Sequence, residues 1–203
     1  MGLLNNVYSK KEKSFGGGFQ LWRMVREVIG SGGTIQGMKT STYLYPSGTP
    51  VEISTDGKAK ILEFYKVTLD SATTTVRVMK ADALSVPQVG EFLMKAPTTL
   101  AGTGKGVTVD AIDSTNAEYH VLTLSGDLGS LVTGDLLCGA AEEGADVSAY
   151  AVPNALLRRD VYVEDGAFAG LADGVVRGTV LAERLPFMTD VVKDKLNGIV
   201  FDN

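Results

Sequence analysis

The chain has 203 residues, which is enough for one large domain or two small ones, each with its own apolar core. Hydrophobic residues make up 44%, charged residues only 21%, and there are 24 glycines, so the composition excludes a wholly disordered chain and favours a protein rich in sheets and turns. A single cysteine, Cys138, excludes an intrachain disulfide. The net charge of −5 is uneven, because residues 1–40 carry six basic and two acidic side chains and the remainder is strongly acidic. Phosphate would be repelled by that acidic body, so nucleic acid is not an expected partner.

The N-terminal region, residues 1–40, is predicted to be a basic arm followed by a helix. The arm, residues 1–18, lacks the apolar segment of a secretion signal, and no run of about 20 apolar residues predicts a membrane span. Beyond three glycines, apolar residues recur at helical spacing over residues 19–29, and Gly30 would end that helix. Its apolar stripe is expected to pack on the protein's own body or to contact another subunit or a capsid, and it consists of Leu21, Trp22, Val25, Val28 and Ile29.

Residues 41–203 are predicted to form a β-rich body. Asp56-Gly57 is a tight-turn dipeptide, and alternation from 58 to 69 places Ile61, Glu63 and Tyr65 on one face of a strand. Further short strands are expected near 74–80, 90–95, 106–112, 119–125, 135–140, 148–152, 156–163, 174–184 and 198–201, with a short helix before the last. This spacing predicts an all-β antiparallel barrel or sandwich. An alternative division of the body is a small barrel at about 84–140 with a second β-subdomain from the flanking segments.

Four phrases place a glycine before a small or acidic residue and an apolar strand. They are SGTPVEI, VGEFLMK, TGDLLCG and RGTVLAE, with the glycines at 48, 90, 134 and 178. The regular spacing suggests a duplicated β-unit in which glycine allows a sharp turn into a strand, whereas the abundance of glycine makes coincidence the rival interpretation.

Residue patterns for catalysis or cofactor binding are missing from the sequence. His120 is the only histidine and lies within a predicted strand, which argues against a multi-histidine metal site or a Ser/His/Asp triad. Cys138 follows two leucines, as a buried inert thiol would. The glycines around Lys105 lack the spacing of a phosphate loop and predict a hairpin loop. Acidic clusters near residues 110–113, 142–146 and 160–165 are interpreted as a solvated rim, so no metal or cofactor is predicted.

The last quarter of the chain reads VPNALLRRDVYVEDG and then VVRGTVLAERLPFMTDVVKDKLNGIVF. With SGTPVEI, VGEFLM, GVTVDAID and YHVLTLSGDLGSLVTGDLL upstream, it resembles head fiber or head decoration proteins from the structural genes of tailed bacteriophages and prophages of Bacteroidetes. The resemblance covers Gly48 to Phe201 and does not extend to the basic arm.

This resemblance implies a non-enzymatic structural protein on the exterior of a phage capsid, assembled in the bacterial cytoplasm. It implies the major capsid protein as a partner and a homo-oligomer, expected to be a trimer because decoration proteins occupy symmetry axes. Two alternatives remain: a non-catalytic β-module that binds a carbohydrate or another small ligand, and a phage hydrolase. The first requires an aromatic-lined pocket and the second two facing carboxylates in a cleft.

Overall fold

The computed structural model describes residues 21–29, 32–37, 43–80, 86–99, 102–163 and 171–203. The predicted basic arm lies outside these ranges. The described residues form strands β1 (Trp22–Val28), β2 (Gly33–Ile35), β3 (Tyr43–Tyr45), β4 (Pro50–Ile53), β5 (Lys58–Ile61), β6 (Phe64–Lys66), β7 (Thr75–Met79), β8 (Phe92–Lys95), β9 (Thr103–Asp113), β10 (Tyr119–Leu124), β11 (Leu136–Gly139), β12 (Gly144–Ser148), β13 (Ala155–Leu157), β14 (Val161–Val163), β15 (Leu171–Ala172), β16 (Gly174–Leu181) and β17 (Ile199–Asp202), with helix α1 (Asp190–Lys195) and a 3-10 turn (Ala182–Arg184).

The fold is all-β, as predicted, and the short helix before the last strand is confirmed as α1. Several predicted strand boundaries shift; the strand predicted at 174–184, for example, ends at Leu181, and three runs change more. The run 58–69 breaks at Leu62-Glu63 into β5 and β6, the run 156–163 splits into β13 and β14, and β12 precedes the predicted strand at 148–152. Helices of the described ranges are all too short or too polar to span a membrane.

Two large sheets make up the architecture. The eight-stranded sheet has the order β1-β16-β13-β4-β5-β2-β15, with β17 running parallel to β16, and the two-stranded sheet pairs β14 with β3. The seven-stranded sheet has the order β6-β11-β8-β9-β10-β7, with β12 paired to β9. The first sheet therefore takes its strands from both ends of the sequence, and the second takes its strands from residues 64–148, a wider range than the predicted barrel at about 84–140.

The seven-stranded sheet curls around an apolar interior without closing into a barrel. Its end strands meet only at the isolated bridge between Val67 and Val78, where the Thr68 amide donates to the Arg77 carbonyl at 3.0 Å. The interior holds Leu93, Leu137 and nine other fully or nearly buried aliphatic residues besides Tyr65. Apolar burial of this kind is the dominant favourable contribution to folding.

The outer face of the curled sheet packs against the eight-stranded sheet. Met94 on β8 and Cys138 on β11 point away from the interior and share a cluster with Leu156, Val175 and α1. Their sequence neighbours Leu93 and Leu137 point into the interior, so both faces of β8 and β11 are buried. This explains why these strands read as continuous apolar runs and not as alternating ones.

The predicted helix at 19–29 is wrong, because residues 22–28 form β1, which pairs antiparallel with β16. Three register shifts interrupt this pairing, and the inward positions become Trp22, Val25 and Val28, three residues apart. A β-bulge inserts an extra residue and resets the alternation of side chains. Spacing that fits one face of a helix therefore arises here from a bulged strand.

Three of the four glycine phrases share one local geometry. Gly48, Gly90 and Gly134 have φ of 85°, 87° and 99°, the left-handed region that favours glycine. The amides of Gly48 and Gly90 donate to carbonyls of β13 and β9, and the Gly134 amide donates to the Val67 carbonyl just beyond β6. The amide of the residue after each glycine donates to the carbonyl three positions back, at 3.0–3.1 Å, and closes a turn. The strands that follow are β4, β8 and β11, and the last two pair with each other. Gly178 differs, since it lies within β16 without a positive φ.

Candidate functional site

A cavity of about 390 Å³ lies where the two large sheets meet. Its wall combines Ile61 at the end of β5, Tyr45 of β3, the turn that leads into β8, and Ala140 beyond β11. Ligand pockets commonly have volumes of about 300–1,000 Å³, so the cavity can hold a small molecule. Two carboxylates, two amides and three aromatic rings are the chemically distinctive groups of its wall.

The first carboxylate, Glu63, is only 6% exposed, which is unusual for a charged side chain. It follows the end of β5, and two tyrosines donate hydrogen bonds to it. The Tyr43 hydroxyl lies 2.5 Å from its Oε1, and the Tyr65 hydroxyl lies 3.3 Å from its Oε2. Because both oxygens accept hydrogen bonds from buried tyrosine hydroxyls, the orientation of the carboxyl group is fixed.

The tyrosines around Glu63 are held in their neutral, hydrogen-donating form. Burial, and then the negative charges of Glu63 and Glu91, raise the pKa of Tyr43, Tyr65 and Tyr150 well above the usual value. These hydroxyls therefore remain dipoles at neutral pH and add no negative charge to the cavity.

Aromatic rings form a second part of the wall. Tyr45 lies against Tyr43 with ring centroids 5.0 Å apart, and Phe92 and Tyr150 complete the set. The Tyr150 ring packs directly on the backbone of Gly139, where an added Cβ would lie 1.7 Å from a ring carbon. Glycine at 139 is therefore required for the Tyr150 ring to occupy this position beside the cavity.

The second carboxylate, Glu91, belongs to the turn at Gly90. Its Oε2 accepts a hydrogen bond from the backbone amide of Gln88 at 2.9 Å. Asp135, which occupies the same position in the turn at Gly134, accepts one from the backbone amide of Val132 at 2.9 Å. Asp135 also forms an ion pair with Lys95 at 2.7 Å, whereas Glu91 lines the cavity. The same turn thus places Asp135 beside Lys95 and Glu91 in the wall of the cavity.

His120, Cys138 and Lys105, which were weighed above as catalytic or ligand-binding candidates, all lie in strands. His120 is 3% exposed on β10, its Nδ1 lies 2.8 Å from the Ser114 hydroxyl, and burial lowers its pKa. Its Nε2 is the one buried side-chain polar atom without a hydrogen-bond partner among the described residues. Cys138 is buried as predicted, and burial raises the pKa of its thiol to about 12. Lys105 lies within β9 and not in the predicted hairpin loop, and its ammonium pairs with Asp127 at 3.3 Å.

The predicted contact residues lie against the protein's own core. Leu21 and Trp22 are buried, and the Trp22 indole donates to the Ser47 hydroxyl and to the Arg158 carbonyl, both at 3.2 Å. Val25 and Val28 are partly buried against the same cluster, and Ile29 is partly buried against a second one. Their role in subunit or capsid contact stays a prediction. In the described ranges, no group of three or more acidic, histidine or cysteine side chains could hold a metal ion.

Sequence reasoning missed the cavity, although one signal for it was present. Glu63 alternates with Ile61 and Tyr65, so a carboxylate occupies a face whose neighbours are apolar or aromatic. A charged residue at such a position indicates a buried polar network. The other half of the wall, from Gln88 to Tyr150, is distant in sequence and comes together only through the sheet topology.

Comparisons with known proteins do not identify this chain. No protein-family model matches it, and searches of curated proteins and of solved structures found no significant match.

Proposed function

We propose that this protein is a non-enzymatic structural component of a tailed-phage virion that occupies the exterior of the capsid head. The observation that carries the proposal is the resemblance of its strand phrases, from SGTPVEI to the closing GIVF, to head fiber and head decoration proteins. The major capsid protein is the proposed partner, and a homotrimer is the proposed assembly.

The all-β fold supports this role physically. Three of the phrases form equivalent turns that lead into buried strands. Backbone hydrogen bonds hold each turn, together with one hydrogen bond made by the side chain that follows the glycine. Within the described part, β1 and β17 each pair with β16 alone, so each presents a second strand edge. Strand edges are able to pair with another chain, which suits a protein that binds by shape and backbone contacts.

Reconstitution on capsids tests the proposal. Heads assembled without this protein are mixed with the purified full-length chain, and bound protein is separated from free protein by sedimentation. We expect saturable binding in a fixed ratio to the major capsid protein. Heads that already carry the protein serve as the control and should bind none. If the folded protein does not bind heads that were assembled without it, the proposal is wrong.

The cavity favours a second candidate, a non-catalytic module that binds a small ligand or carbohydrate. Its aromatic rings and convergent polar groups are the features that such a module requires. Amide chemical shifts of the full-length protein, followed during titration with a panel of sugars and other small molecules, test this candidate independently of capsid binding. A panel in which no compound contacts the cavity residues contradicts it.

A further inference from the structure

We infer that the hairpin between β9 and β10 is an acid-sensitive latch, which holds the ends of β7, β9 and β10 together while His120 is neutral and opens when His120 takes up a proton. This inference goes beyond the proposed virion role and does not depend on it. His120 is the only histidine of the chain, and histidine is the side chain whose usual pKa lies between pH 5 and 8.

The hairpin, residues 114–118, is held by side chains from two neighbouring strands. At the start of β10, the Nδ1 of His120 lies 2.8 Å from the Ser114 hydroxyl. Lys80 directly follows β7, and its ammonium donates to the carbonyls of Ser114 and Asn116 at 2.7 and 2.6 Å. The Lys80 amide also donates to the Glu118 carbonyl at 3.0 Å. These contacts join the ends of the three strands through the hairpin.

The imidazole of His120 points toward the apolar interior of the curled sheet. His120 alternates along β10 with Leu122 and Leu124, which belong to the interior cluster, and it pairs with Val78 of the same cluster on β7. Side chains two residues apart on a strand share a face. Proton uptake at this position would place a positive charge in apolar surroundings, which disfavours the charged form of the ring.

The hydrogen bonds of the ring also suit its neutral form. A neutral imidazole carries one N–H group, whereas the protonated ring carries two and both need acceptors. Ser114 contacts Nδ1, but Nε2 is buried and has no hydrogen-bond partner among the described residues. Protonation would therefore leave a charged N–H group buried and unpaired, and turning the ring outward to water would break its contact with Ser114.

The charges around His120 oppose its protonation as well. Burial, and then the positive charge of Lys80, lower the pKa of the imidazole below its usual value. The interior cluster contributes Tyr65, which stays neutral because burial raises its pKa. Other charged side chains at this end of the sheet are exposed: Arg77 on β7, Asp113 at the end of β9 and Glu118 in the hairpin.

The closed hairpin should therefore lose stability as the pH falls. Because the pKa of His120 is lower in the closed form than its usual value of 6.5, the open form binds the proton more readily. The closed form is fully favoured above about pH 6.5. Below that value, and down to the pKa of the buried ring, each pH unit should raise the ratio of open to closed hairpin about tenfold.

The experiment follows the imidazole titration and amide hydrogen exchange of the full-length protein by NMR between about pH 7.5 and 5. The resonances of a single histidine give its pKa directly. We expect a midpoint below 6.5 and, over the same range, a loss of protection of about tenfold per pH unit at residues 113–120, after correction for the intrinsic pH dependence of exchange. Trp22 fluorescence, which reports on the other large sheet, should stay native throughout.

Three variants locate the effect. His120→Gln has no titrating ring, so protection of the hairpin amides should not depend on pH in this range. Lys80→Met should raise the His120 midpoint, because it removes the neighbouring positive charge. Lys105→Met is its matched control, since the Lys105 ammonium pairs with Asp127 farther along β9, and it should leave the midpoint unchanged.

Four results would overturn the inference. A His120 midpoint at or above 6.5 would show that the ring is not held buried and neutral. Hairpin amides whose protection does not follow the imidazole midpoint in the wild type would separate the titration from opening, and this comparison needs no variant. Acid-induced opening that persists in His120→Gln would assign the response to another group. A simultaneous change in Trp22 fluorescence would indicate unfolding of the whole chain and not a latch.

Discussion

Replacing Trp22 by alanine should destabilise the fold, because the side chain is an internal part of it. Trp22 is 7% exposed, and its indole bonds to the Ser47 hydroxyl and the Arg158 carbonyl. Truncating a buried tryptophan costs about 3–5 kcal/mol in free energy of unfolding. Trp22→Phe keeps most of the apolar contact and loses the indole donor, so it should cost about 1–2 kcal/mol.

Urea denaturation followed by circular dichroism measures these changes. Met24→Ala is the matched control, since Met24 lies on the same strand and is 47% exposed, and its replacement should alter stability by about 0.5 kcal/mol or less. Trp22 is the only tryptophan, so its fluorescence in the wild type reports whether β1 is docked. A loss below about 1 kcal/mol for Trp22→Ala, or solvent-exposed fluorescence in the native protein, would refute the placement of β1 in the sheet.

Three further predictions concern individual side chains. The thiol of Cys138 is buried and its pKa is raised to about 12, so it should react with Ellman's reagent at pH 8 only after unfolding, and rapid reaction of the native protein would contradict this. A hydrogen bond from the Lys58 ammonium is the main cause that lowers the pKa of the Asp56 carboxyl from 3.8 to about 2. Because the pKa is lower in the folded state, ionised Asp56 should stabilise the fold fully above about pH 4, and this stabilisation should be lost as the pH falls toward 2. NMR titration should show a higher Asp56 pKa in the Lys58→Met variant than in the wild type, and a wild-type pKa of 3.8 would contradict the prediction. Tyr43→Phe removes a donor to Glu63 and should lower the free energy of unfolding by about 1–3 kcal/mol in urea titrations, whereas an unchanged midpoint would argue against the buried network.

Much of the fold was predictable from local chemistry. Asp56-Gly57 forms the expected turn, with Gly57 at φ 77°, because a positive φ at that position selects glycine. Apolar patterns correctly predicted β7 to β11. A strand buried on one face has alternating apolar residues, and a strand buried on both faces has a continuous apolar run. The four glycine phrases suggested a repeated turn, with coincidence as the rival interpretation, and the glycines at 48, 90 and 134 share one backbone geometry whereas Gly178 does not.

What could not be predicted depends on pairing between distant strands. The spacing of Trp22, Val25 and Val28 fits a helix equally well, and only the bulged pairing with β16 makes it a strand. The cavity between the sheets is a similar case, since Glu63 and Glu91 are brought together by sheet topology and not by a motif. Local patterns located most of the strands, but the pairing between strands decides which side chains share a site and, for β1, whether the segment is a strand at all.

Mass spectrometry of purified phage particles tests the central proposal most directly. Particles from the phage or induced prophage that carries this gene are banded by density, and the abundance of the chain relative to the major capsid protein is compared with that in the crude lysate. The proposed role predicts that the chain co-purifies with heads at a constant ratio through successive gradients. Abundant protein in the lysate that is lost from the banded particles would contradict it.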